Sequence, residues 1–183
     1  MTYRPICDVW LLARPKVKYY GAYPAGFLSR ARALLGVGPD DPVLHVCAGK
    51  VREYPYDGVG TRDRTLDLDP DLQPDFLHDA RKRPYPTCPD TRDGLWPAVL
   101  ADPPYTDEDA DRYAPGRARR PTANQILRYS LEVVRVGGKI GILDYVWPMP
   151  PPPPYHAQEV AVIAVGTGRN NRARWFTVFE RLS

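Results

Sequence analysis

Pro97-Ala98-Val99-Leu100-Ala101-Asp102-Pro103-Pro104-Tyr105 decides how this chain is read. Five apolar residues in a row suit a short buried strand. The run then stops at an acid, two prolines and an aromatic ring. Each proline ring fixes φ near −65° and removes a backbone donor, so the loop that follows the strand is stiff. Open α/β sheets bind their ligands beyond the carboxyl ends of their strands. The residues Asp102 to Tyr105 are therefore a candidate site before any other part of the chain is considered.

The rest of the composition sets bounds. A chain of 183 residues fits one domain with a core of useful size. Hydrophobic residues make up 43% and charged residues 26%, as in ordinary globular proteins. The 22 prolines predict many fixed loops and few or short helices. No stretch approaches 18 apolar residues, so no membrane span is expected. Met1-Thr2-Tyr3-Arg4-Pro5 has no apolar signal core. Cys7, Cys47 and Cys88 are far apart and odd in number, which suits free thiols in a reducing cytoplasm. With no CxxC pair and only His45, His78 and His156, a structural zinc site is not expected. The net charge of +3 permits nucleic-acid binding without demanding it. Basic residues cluster in Arg117-Ala118-Arg119-Arg120 and from Arg169 to Arg174, as solvated loops or as grips for phosphate.

Around the opening stretch the pattern alternates between strands and helices or loops. Ala25 to Leu35 is predicted helical, with Phe27, Leu28, Ala31, Leu34 and Leu35 on one face and Gly36 past its end. Val43-Leu44-His45-Val46-Cys47 reads as a buried strand that leads into Ala48-Gly49-Lys50, with His45 and Cys47 in the core. Further strands are predicted near Arg64 to Leu68, at Phe76 to Asp79, and over Lys139 to Leu143. Thr122 to Val134 is predicted as a helix stopped by Gly137-Gly138. Arg81 to Trp96 and Asp107 to Pro121 read as loops. Glu159 to Val165 and Arg174 to Glu180 flank Gly166-Thr167-Gly168-Arg169-Asn170-Asn171, a hairpin signal. Five prolines from Pro150 to Pro154 predict an extended crossover beside the site. The sum is a twisted, mostly parallel α/β sheet closed by an antiparallel hairpin.

The loop Asp102-Pro103-Pro104-Tyr105 resembles the catalytic motif of amino-methyltransferases that use S-adenosylmethionine, especially those acting on adenine N6 or cytosine N4. The resemblance implies a Rossmann-like class I methyltransferase fold with a seven-stranded sheet and, here, reduced helices. An exocyclic base amine is a poor nucleophile because its lone pair is delocalised into the ring. Acceptors aimed at the amine hydrogens free that pair. Asp102 and the carbonyl of Pro103, held by the restricted angles of Pro103 and Pro104, are such acceptors, and Tyr105 offers a ring for stacking on an unstacked base.

The resemblance also implies a cofactor side. Val43 to Gly49 looks like the glycine motif of the family, with Cys47, Ala48 and Gly49 letting the backbone approach the cofactor. Lys50-Val51-Arg52 stands where the usual second glycine is expected. Asp67 matches the acid that takes the ribose hydroxyls, with Asp69 one alternation away, and Asp79 matches the acid that meets the adenine amino group. Tyr23-Pro24 resembles the aromatic-Pro pair that closes over the cofactor. On the substrate side, Arg117, Arg119 and Arg120 are placed to grip phosphate, and Asp144 and Tyr145 to shape the pocket. The implied activity is N-methylation of a nucleic-acid base, with adenine N6 in DNA favoured. Only Thr106 to Pro121 and the proline run could serve as a target-recognition region. A homodimer, a specificity partner or an RNA substrate would follow from that scarcity. Methylation of a small-molecule or protein nitrogen, and a module that binds without catalysis, are the alternatives.

Overall fold

The computed structural model describes residues 4–14, 21–53, 58–113, 115–116, 119–168 and 172–183. Among these residues there are eight strands: β1 (Ile6–Leu11), β2 (Val43–Val46), β3 (Arg64–Asp67), β4 (Phe76–Leu77), β5 (Trp96–Ala101), β6 (Val134–Asp144), β7 (Ala157–Gly166) and β8 (Arg174–Arg181). They form one sheet in the order β1-β7-β8-β6-β5-β2-β3-β4. β8 alone runs against the other seven, pairing antiparallel with both β6 and β7. The helices are α1 (Phe27–Leu35), α2 (Asp107–Tyr113) and α3 (Ala123–Val133).

Position in the sheet explains the sequence of each strand. β2 and β5 lie at its centre, paired from Val43↔Ala98 to Val46↔Ala101, and every residue of both is buried. Strands covered on both faces read as unbroken apolar runs, which is why these two are legible in the sequence. One face of the sheet is covered by α1, whose Phe27, Leu28, Ala31 and Leu35 pack with Trp10, Tyr23 and Phe176. The other is covered by α3, whose Ile126, Leu127 and Leu131 pack with Tyr85, Trp96 and Phe179. α1 ends at Gly36, whose positive φ of 69° allows its N–H to turn back to the carbonyls of Ala33 and Arg32. α3 begins at a capping box in which Thr122 and Gln125 satisfy each other's backbone donors.

The amino end of β2 is tied down by a buried ionic knot. Asp63 accepts from Arg32 Nη1 at 2.9 Å, from His45 Nε2 at 3.0 Å and from the amides of Val43 and Gly60. Burial alone would raise the proton affinity of this carboxyl, but the His45 bond, the Gly60 amide and the charge of Arg32 outweigh it and hold it low. His45 is thus a core residue, as its place among apolar neighbours suggested.

The structure corrects several expectations. An eighth strand, β1, joins the expected seven at the edge, pairing parallel with β7. Asp107 to Tyr113, expected as loop, is helical: Thr106 Oγ1 accepts the Asp109 amide, and three acids occupy the first turn, where the helix dipole favours negative charge. α3 is ended by the extended backbone of Val134 rather than by Gly137-Gly138, which lie inside β6 where its register with β5 shifts. There a Cβ on Gly138 would meet the Val134 side chain and the Pro97 carbonyl. The proline run does link β6 to β7 without a helix, but none of its residues lines the cleft, and the residues that flank it are tied to α3. Met149 N–H donates to Asn124 Oδ1, and Tyr155 Oη to Glu132.

Candidate active site

The carboxyl ends of β2, β3 and β5 open into one cleft of about 590 Å³. Ligand clefts typically enclose about 300 to 1,000 Å³. Its floor is the loop after β2. Cys47 and Gly49 both take left-handed backbone angles, with φ 56° and 53°, so the chain turns sharply at the strand end. That turn is pinned to β3, because the Gly49 amide donates to Asp67 Oδ2 at 2.9 Å. Asp67 Oδ1 accepts the Asp69 amide at 3.1 Å. Each carboxylate oxygen keeps a further lone pair, so both can still take a ligand hydroxyl. Burial raises the proton affinity of Asp67, and the two amides act against that rise. Burial likewise pushes the Cys47 thiol well up, helped by the charges of Asp67 and Asp102, so it stays a neutral thiol at physiological pH.

On the far side of the floor stands Asp79, gripped by its own neighbour. Arg81 donates from Nε to Oδ1 at 2.9 Å and from Nη2 to Oδ2 at 2.7 Å, and this bond holds the carboxyl below the usual range. The cleft's roof comes from Tyr23, whose ring stacks on Phe27 at 5.3 Å and 7°, and from Tyr113 of α2. Gly21, at φ 83°, passes so close beneath Tyr113 that a Cβ would coincide with its hydroxyl.

The Asp102 loop forms the opposite wall. The Asp102 amide donates to the Val46 carbonyl, which continues the β2–β5 pairing by one step and aims the side chain into the cleft. Burial pushes the Asp102 carboxyl up to about 7, against the pull of Arg174 and the Tyr105 hydrogen bond. Tyr105 Oη donates to Asp102 Oδ1 at 2.5 Å, and Arg174 Nη1 donates to Tyr105 Oη at 3.0 Å. The Tyr105 and Tyr145 rings lie 4.7 Å apart at 45°, with the Arg172 guanidinium 6.0 Å from the Tyr145 ring.

Most residues expected at the site meet in this cleft: Tyr23, Cys47, Ala48, Gly49, Asp67, Asp79, Asp102, Pro103, Pro104, Tyr105, Arg119, Arg120 and Tyr145. Pro24 is buried behind Tyr23, with its carbonyl accepting the Phe27 amide. Asp144 sits at the end of β6 beneath the cleft, where Oδ1 accepts the Val146 amide and lies 3.9 Å from Arg120. Arg117 lies outside the described residues. Arg14, Arg81, Arg172 and Arg174 line the cleft without having been expected there. For the last two, the basic cluster near residue 170 was a visible signal of charge but not of destination.

No protein-family profile matches the chain, and no curated protein matches it in sequence. Similarity appears in three dimensions. TrmN from Thermus thermophilus superposes with a TM-score of 0.50 and 18% identity, over 85% of this chain and 48% of TrmN. The chain thus spans about half the length of that protein. An rRNA methylase from Streptococcus thermophilus aligns at TM-score 0.48 and 13% identity, over 88% and 100% of the two chains. A Streptococcus mutans protein solved in complex with SAH aligns at 0.47 and 10%, over 84% and 95%. With seven parallel strands, one reversed strand in a carboxyl-terminal hairpin, and a cleft at the strand ends, the chain has the Rossmann-like fold of class I methyltransferases.

Proposed function

We propose that the chain is an S-adenosylmethionine-dependent N-methyltransferase whose substrate is a nucleic-acid base, adenine N6 in DNA being the first to test. The cofactor would supply a methyl group on a sulfonium, an electrophile that needs no further activation. The cleft suits it in size, and its lining mixes carboxylates at Asp67, Asp79 and Asp102 with guanidinium groups such as Arg14 and Arg172. The turn at Cys47-Ala48-Gly49 would take its amino-acid end, Asp67 its ribose hydroxyls and Asp79 its adenine, with Tyr23 over the top.

The residues of the Asp102 loop would then manage the acceptor nitrogen. Asp102 and the Pro103 carbonyl accept the two amine hydrogens, which frees the nitrogen lone pair from the ring. Transfer of the methyl group would break its carbon–sulfur bond and leave a neutral thioether, and the methylated nitrogen would then shed one proton, which the Asp102 carboxylate would be placed to take. A carboxyl near 7 is well matched to that task at neutral pH. The Tyr105 and Tyr145 rings provide a stacking surface for a base swung out of its strand, and Arg119 and Arg120 stand at the rim to meet phosphate.

The observation that carries this reading is that the Asp102 loop and the Gly49–Asp67 pair, on three different strands, face one cleft. Transfer of labelled methyl from S-adenosylmethionine to single-stranded DNA, duplex DNA and RNA tests it, with Asp102→Ala as control. Label on adenine or cytosine that disappears in the variant is the expected result, and it also selects the polymer. Measurable cofactor binding with no label on any polymer overturns the nucleic-acid reading in favour of a smaller planar amine.

A further inference from the structure

Arg174 is the first residue of β8, and it is delivered to the Asp102 loop only because the hairpin is antiparallel. Its guanidinium lies 5.7 Å from the centre of the Tyr105 ring as well as donating to the hydroxyl. Three groups therefore stand in a row: Arg174, Tyr105, Asp102. The chemistry of each fixes the direction of the row. A guanidinium can only donate, whereas a phenol has one proton to give and can accept in return. With Arg174 donating to its oxygen and an ionised Asp102 able only to accept, the Tyr105 hydroxyl turns its proton toward Asp102 Oδ1.

We propose that Arg174 is a positioning residue of the site, which by holding the Tyr105 hydroxyl as an acceptor commits that hydroxyl to Asp102 Oδ1 and reserves Oδ2 and the Pro103 carbonyl for the substrate amine. Without Arg174 the phenol is free to reverse, accepting a proton from a neutral Asp102. The carboxyl would then be a donor facing the amine hydrogens, which is the wrong polarity. The charges around Asp102 point the same way. Arg174 from β8 and the Tyr105 bond favour its ionised form, and Asp144 at the end of β6, itself beside Arg120, opposes it. Cys47, in the turn after β2, faces it as a neutral thiol. The catalytic consequence rests on the methyltransferase reading; the interaction does not.

The test is a carbon-13 NMR titration of the Asp102 carboxyl in the full ligand-free chain, for wild type, Arg174→Met, Arg174→Lys and Tyr105→Phe. In Arg174→Met the midpoint should rise by roughly one pH unit, the size expected on losing an opposite charge nearby, and Arg174→Lys should recover part of it. The Arg174→Met and Tyr105→Phe shifts should be non-additive in the double variant, as coupled groups are. An unmoved midpoint in Arg174→Met, with an unchanged urea midpoint to show that the protein is folded, overturns the role. So does a loss of polymer affinity with no change in titration, which would make Arg174 a phosphate contact. A shifted titration in a protein that methylates no base keeps the positioning role and overturns the proposed reaction instead, so the two failures are distinct.

Discussion

A carboxylate in a half-buried cleft is opposed by its own desolvation, and at Asp102 that opposition sets a pH dependence. Its proton affinity is raised to about 7, so the acceptor form is present above that pH and is lost below it. The kcat/KM of the proposed methyl transfer should therefore fall as pH drops through about 7, close to tenfold per unit. Asp102→Asn should abolish this acid limb and lower kcat by roughly 10²- to 10⁴-fold, the range for a lost general base; a pH–rate profile of both proteins checks it. Asp63 carries the reverse sign. Its folded value is depressed, so the stability it confers is present above the unfolded carboxylate value and is lost as pH falls through the folded one. Asp63→Ala should cost roughly 3–5 kcal/mol in urea unfolding at neutral pH, because it takes the counter-charge from Arg32 and leaves the Val43 and Gly60 amides without their acceptor. At this scale the sequence was legible where chemistry is contiguous: Asp102 to Tyr105 announce themselves. Arg174 did not, because its partner is 69 residues away and only the sheet order joins them.

Among the elements, the strands at the sheet's centre were legible and the exceptions each have a cause. β1 reads Ile-Cys-Asp-Val-Trp-Leu, with Asp8 breaking the apolar pattern, and it is an edge strand with one buried residue, Trp10. A seven-residue helix rich in acids, α2, has no apolar period to betray it. Gly137-Gly138 marked a real irregularity but assigned it to the wrong element. Two measurements probe how these elements are held. Thr122→Ala should lower the stability of the whole chain by about 1 kcal/mol in urea, by removing the α3 cap. Trp10 packs on Phe27 and Phe176, at 6.2 and 5.9 Å between ring centres. Trp10→Ala should accordingly cost roughly 3–5 kcal/mol, far more than an edge strand alone would suggest; thermal unfolding of the variant would expose a smaller effect at once.

For the molecule as a whole, the order of strands in space departs from their order in the chain most sharply at one edge, where Ile6 pairs with Ala161 and Leu11 with Gly166. Ile6, Val9 and Leu11 are 55%, 62% and 82% exposed even after that pairing. β1 must therefore wait for β7, six strands later in the chain, to be made before it can pair. At about 5–20 residues per second that wait lasts on the order of ten seconds, with an apolar segment and an unpaired edge in the open. Nascent chains stalled before Gly166 should have a protease-sensitive start, and chains long enough to free β7 a protected one. Equal sensitivity at both lengths would show that β1 finds shelter elsewhere. The order of synthesis thus leaves β1 without its partner until β7 has emerged, a demand on the growing chain that the firmness of the finished sheet does nothing to ease.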